Sequence, residues 1–261
     1  MSRELLFYRE SDGLIATARI DTDGRFGHLA DGKLASRWTS IVPIGRELLF
    51  YRDSDGVIAT ARIDTDGRFG HLADGKVSPG WTHIVPIGRE LLFYRDTNGR
   101  IATARIGTDG IFAHLADGNL QAEWTHIVPI GRELLFYRDT DGLIATARID
   151  TSGRFGHLAD GKLSSRWTRI VPIGRELLFY RKSDGVIATA RIDTDGRFGH
   201  LADGKVSSGW THIVPIGREL LFYRDTDGRI ATARIDTGGR FGHLADGNLQ
   251  AEWSIITPGL P

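Results

Sequence analysis

Residues 38–80 read WTSIVPIGRELLFYRDSDGVIATARIDTDGRFGHLADGKVSPG, and this stretch decides the fold. It breaks into four short apolar runs, Trp38–Ile44, Glu47–Arg52, Val57–Asp64 and Arg68–Ala73. The punctuation is Pro-Ile-Gly, Asp-Ser-Asp-Gly, Asp-Thr-Asp-Gly and Ala-Asp-Gly. Asp-Gly between β-rich runs signals a hairpin, because such turns need positive φ. In the second run Leu48, Phe50 and Arg52 alternate with Glu47, Leu49 and Tyr51, so large apolar side chains fall on both faces. A half-solvated sheet would alternate more cleanly. Two-sided burial is expected where one sheet is sandwiched between others, and Ala59 and Ala61 let a neighbour approach closely.

Outward from this stretch the pattern repeats. Trp38, Trp81, Trp124, Trp167, Trp210 and Trp253 are each 43 residues apart. Four strands in such a period are the mark of a propeller blade. The expected fold is all-β: a six-bladed β-propeller of four-stranded, 43-residue blades, one domain over 1–261. The chain opens on the second strand of a unit, Arg3–Tyr8, and finishes on the first, Trp253–Gly259. The C-terminal strand is expected to join the N-terminal blade and seal the ring, which leaves no open sheet end.

Residues 129 apart match better than residues 43 apart: Lys33-Leu34 recurs as Lys162-Leu163, Val77-Ser78 as Val206-Ser207, and Asn119–Glu123 as Asn248–Glu252. A three-unit block was doubled, by duplication or by design. The same arithmetic admits two β-trefoils, but no linker marks the 129-residue boundary and the split blade has no role in them.

Composition narrows the function. Thirty-three basic and 33 acidic residues leave no net charge, which argues against a nucleic-acid binder. No cysteine is present, so disulfides, thiolate metal sites and cysteine nucleophiles are out. No signal peptide and no apolar run near the length of a membrane span stand out, so a cytoplasmic location or secretion without a signal are the expectations.

The segment Trp-Thr-His-Ile-Val-Pro, followed by Leu-Leu-Phe-Tyr-Arg-Asp and a later Gly, resembles bacterial FG-GAP/VCBS-type propeller repeats. It is more distantly similar to tachylectin-type lectin propellers, where a Trp strand precedes a Leu-Phe-Phe strand. The resemblance implies the propeller along the whole chain. FG-GAP repeats often hold calcium between the first two strands, but Pro43-Ile44-Gly45-Arg46 has no carboxylate, so calcium is not expected there.

Several residues carry candidate chemistry. Asp53-Ser54-Asp55-Gly56 and Asp64-Thr65-Asp66-Gly67 look like calcium loops, yet four residues supply fewer than the six to eight oxygens calcium needs. Asp53 also becomes Lys182 and Asp64 becomes Gly107 in other units, so these read as turns, with no metal and no cofactor. His28, His71, His114, His157, His200 and His243 each precede Leu-Ala-Asp-Gly, and further histidines follow Trp-Thr at His83, His126 and His212. A repeated His either bonds its own loop or touches a ligand. Glu47 and Arg62 share a face of adjacent strands and are expected to form an inter-blade ion pair.

Each Trp ends the most variable loop and either anchors its blade or offers a stacking face beside polar groups. Strand order puts it on the same rim as the Arg-Asp-Ser-Asp-Gly turn, where Arg52, His71, Asp74 and Trp81 would converge across a blade boundary. The candidate ligand residues are therefore the six Trp, the six His before Leu-Ala-Asp-Gly, Asp31, Asp74, Asp117, Asp160, Asp203 and Asp246, and Arg9, Arg52, Arg95, Arg138, Arg181 and Arg224.

The expected function is a monomeric, multivalent carbohydrate-binding propeller with up to six similar sites between blades, its partners glycans or glycoconjugates and its weak sites added by avidity. A repeat scaffold or protein-interaction ring, natural or engineered, is the alternative. An enzyme is not expected, because chemistry needs different residues around one centre and the units are nearly identical.

Overall fold

The computed structural model describes residues 4–21, 23–45, 47–64, 66–150 and 152–258. All regular structure among them is β-strand, in six four-stranded antiparallel sheets. The protein is a six-bladed β-propeller, and the reading as two trefoils falls away. One blade has the strands Ser40–Ile44, Glu47–Tyr51, Val57–Ile63 and Phe69–Lys76, paired in that order. Ile255–Pro258 pairs antiparallel with Glu4–Tyr8, setting Leu6 against Thr257 and Tyr8 against Ile255. The last strand thus completes the first blade. It is shorter than expected, since Trp253 precedes it. Arg3 and Gly259, at the expected strand ends, lie outside the described residues, as do Arg46 and Thr65 of the expected turns.

The chain divides into two compact units, Met1–Leu120 with Gln250–Pro261, and Gln121–Leu249. Each holds three blades, and within each the first strands of neighbouring blades touch. Those first strands form the inner edge of the unit, and the fourth strands lie outermost.

The core lies between blades and not inside one. Val42, Ile44, Leu49, Tyr51 and Ile58 from one blade pack against Trp81, Leu91, Phe93, Ala102, Ala104 and Ile106 from the next. Both faces of the second strand are buried throughout Glu47–Tyr51, as its two apolar sets require. At roughly 1.5–3 kcal/mol per large buried apolar side chain, these seams dominate the favourable side of folding. A glycine assists each seam: Gly110 sits at φ +81, and its carbonyl accepts a 2.9 Å bond from Thr60 Oγ1 of the preceding blade.

The fourth strand departs from expectation. Ala73-Asp74-Gly75 is no turn, because the strand runs on from Phe69 to Lys76. A bulge sits inside it: Thr60 faces Ala73 while Ala61 faces His71, so Leu72 has no partner. The extra residue reverses the in-out phase of everything beyond it.

Candidate functional site

The tryptophans are anchors first. Trp38, Trp81, Trp124, Trp167, Trp210 and Trp253 are all buried. The Trp38 ring packs 5.7 Å from Phe50, and the Arg52 guanidinium lies over it at 5.6 Å. The same arrangement holds for Arg9 on Trp253, Arg95 on Trp81, Arg138 on Trp124, Arg181 on Trp167 and Arg224 on Trp210. The face that a sugar would stack on is occupied by the protein's own cation. The backbone N–H of Trp81 is also held: it donates at 3.0 Å to the hydroxyl of Tyr51, the fully buried ring of the preceding blade. Burial pushes that phenol's pKa up.

Each arginine is itself fixed. Arg52 Nε and Nη2 donate to the two oxygens of Asp55 at 2.9 and 2.7 Å, a bidentate pair across its turn. The guanidinium holds the Asp55 carboxyl at about 2. Arg9 and Arg138 do the same to Asp12 and Asp141. Arg95 differs because residue 98 is asparagine, and its guanidinium turns to the carbonyls of Pro79 and Gly80 at 2.6 and 3.2 Å.

The histidines lie on the outermost strand. His71 Nε2 is 3.1 Å from Asp74 Oδ1, both side chains exposed. In a regular strand residues three apart point to opposite faces, so the bulge at Leu72 is what brings the pair together. His28–Asp31, His114–Asp117, His157–Asp160, His200–Asp203 and His243–Asp246 repeat it. Arg52 meets Trp38 of its own blade, so the expected grouping of Arg52, His71 and Asp74 with Trp81 gives way to one built on neighbouring strands of a single blade.

Glu47 is deeply buried and takes Arg62 at 2.7 Å and Arg89 at 3.3 Å. Arg62 is its register partner within the blade, and Arg89 is the arm that reaches it from the next one. The expected inter-blade pair is thus a three-residue network. The turn reading of Asp64 has a direct cause, since Oδ1 accepts from the backbone N–H groups of Asp66 and Arg68 at 2.9 and 2.8 Å.

What remains open to a partner is a groove between blades. In the first unit a cavity of about 380 Å³ is lined by Lys76, Val77 and Ser78 from one blade and Trp81, Phe93, Arg100, Ala102, Phe112, His114 and Asp117, among others, from the next. In the second unit one of about 280 Å³ is lined by Lys205, Val206, Ser207, Trp210, Phe222, Arg229, Ala231, Phe241, His243 and Asp246, each 129 residues on from its counterpart. Arg100 approaches Asp117 at 3.9 Å, while His114 holds the other carboxylate oxygen at 3.2 Å. Arg100 and Arg229 were missed in the sequence reading. The signal was present: the other blades carry Leu14, Val57, Leu143 or Val186 at that place.

No protein-family model matches the chain, and no curated protein matches it. Solved structures do. The periplasmic gluconolactonase of Pseudomonas aeruginosa aligns over 97% of this chain and 98% of its own, at 16% identity and a TM-score of 0.63. A Bacteroides fragilis protein provisionally assigned as a 6-phosphogluconolactonase aligns over 95% of this chain and 82% of its own, at 14% identity and 0.63. A structure of the nidogen/laminin complex aligns over 97% of each chain, at 14% identity and 0.59. At these identities the likeness establishes the propeller; an FG-GAP or tachylectin relationship is a finer statement than it carries. It also corrects the expectation that the chain is no enzyme, because a neighbour matching almost end to end is a gluconolactonase. That expectation rested on near-identical units, and identity at most positions is silent about the few where units differ. No helix of the structure is long and apolar enough to cross a membrane.

Proposed function

We propose that the protein is a repeat binding scaffold whose two equivalent grooves each take an extended segment of a partner protein bearing an acidic side chain. The observation that carries this is the recurrence of one groove, residue for residue, in both units. Its floor is apolar, from Trp81, Phe93, Ala102 and Phe112, and its wall sets Lys76, Arg100 and His114 against one carboxylate, Asp117. An apolar floor with a few convergent polar groups is the usual form of a binding site, and the excess of cationic groups selects an acidic partner. The covered tryptophan faces turn the balance from sugar stacking toward protein contact.

The test replaces Arg100 with Leu and Arg229 with Val, residues other blades already carry at this position. Immobilised wild-type protein is expected to retain a partner from lysate that the double variant loses and that millimolar simple sugars do not elute. Elution by sugar would return the carbohydrate reading, and equal retention by the variant would remove the groove from the argument.

A second reading, hydrolysis of a gluconolactone or its 6-phosphate, is favoured by the near end-to-end likeness to a gluconolactonase. Lactone ring opening above the spontaneous rate, followed by acid release, supports it. A rate equal to buffer alone removes it.

A further inference from the structure

The blade at 167–209 differs from the blade at 38–80, its counterpart 129 residues earlier, at three positions only. Ser40 becomes Arg169, Asp53 becomes Lys182, and Pro79 becomes Ser208. Two of the three changes add positive charge, and the structure puts both on one residue. Thr168 Oγ1 accepts from the backbone N–H of Lys182 at 2.8 Å, and the carbonyl of Thr168 accepts from Arg169 Nη1 at 3.0 Å. Both cations therefore sit at the start of an inner strand, at the inner edge of the three-blade unit.

Arg169 lacks a counter-ion. Its Nε and Nη2 donate to the carbonyl of Thr211 in the next blade at 3.2 and 2.8 Å. A guanidinium has five N–H donors; three go to carbonyls, and one each on Nη1 and Nη2 remains. Neither Arg169 nor Lys182 makes an ion pair among the described residues. The carboxylates at the place of Lys182 in the flanking blades, Asp139 and Asp225, do not reach Arg169. Crowding by protein lowers the arginine's pKa even though the group keeps solvent access.

Histidines flank it on both sides. His126 begins the inner strand of the preceding blade, and its Nε2 lies 3.3 Å from the Thr168 carbonyl. His212 begins that of the following blade, beside the Thr211 that Arg169 binds. A neutral carbonyl cannot balance a partly desolvated guanidinium as an oxyanion does, and charge-assisted bonds to an oxyanion are the stronger kind.

We propose that Arg169 and Lys182, flanked by His126 and His212, form a binding site for a small oxyanion, the carboxylate or phosphate group of a soluble metabolite. The site is distinct from the grooves and stands or falls independently of them.

The experiment titrates the whole protein with inorganic phosphate and, separately, with acetate. It follows the imidazole proton resonances of His126 and His212, with His83 in the other unit as the internal reference. The variants are Arg169→Ser and Lys182→Asp, which restore residues the chain already carries at 40 and 53, so the blade keeps a sequence known to fold. Saturable shifts at His126 and His212 with His83 unmoved are expected, with affinity falling on the order of tenfold in either variant, the loss of one charge-assisted bond. Tighter phosphate identifies a phosphate-bearing ligand, and tighter acetate a carboxylate-bearing one. Absence of a saturable shift with both anions, or unchanged affinity in both variants, overturns the proposal.

Discussion

Arg52 shows how much one side chain does here. It stacks on Trp38, grips Asp55 through two hydrogen bonds, and so ties the loop before the first strand to the turn after the second. The pKa of Asp55 falls from the ordinary 3.8 to about 2 because the charged carboxylate is the form that Arg52 binds. A carboxyl depressed on folding contributes stability that is complete above its unfolded value and lost as pH falls through the folded one. Asp12 and Asp141 are depressed in the same way. Stability is therefore expected to drop as pH falls from about 4 toward about 2, and Asp55→Asn should flatten part of that slope in urea melts taken across the range. An unchanged slope in the variant would mean that Asp55 takes no part in it.

Strands and turns explain what could be read in advance. The first three strands were legible because their turns carry Asp-Gly or Gly at positions of positive φ and their two apolar faces fixed the packing. The fourth was misread at its end, because Ala-Asp-Gly has turn chemistry but lies in a bulged strand. The bulge at Leu72 leaves no mark in residue type; it is set by what the next blade presents. That neighbour is Gly110, where an added Cβ would come within 2.7 Å of Leu72 Cβ at φ +81. Gly110→Ala is expected to cost about 1–3 kcal/mol from strain and overpacking. Gly27→Ala, in ordinary backbone with its nearest atom at 3.7 Å, should be close to neutral. Equal midpoints for the two variants in chemical denaturation would refute this account of the seam. The candidate residues were legible as a repeating set, but their grouping was not. The Arg–Trp stack depends on which strand end faces which loop, and the groove arginines are visible only when blades are compared 129 residues apart.

At the scale of the molecule the doubled block leaves two three-blade units of near-identical sequence. We propose that the chain nevertheless melts as one domain, since a blade borrows its core from its neighbour and so has little stability of its own. Calorimetry is expected to show one transition with equal van't Hoff and calorimetric enthalpies. Two resolved transitions would assign separate stability to the units. The first blade has a further property. Its inner strand, Ile255–Pro258, comes from the far end of the chain, and Ser254 bonds the backbone of Tyr8 and Glu10 across more than 240 residues. Contacts of such long range slow folding, because the loop must close before the contact gives anything back. During synthesis that sheet waits with one edge bare until the ribosome has released almost the whole polypeptide. Translation, and not the search for the native state, therefore sets the earliest moment at which this protein is complete.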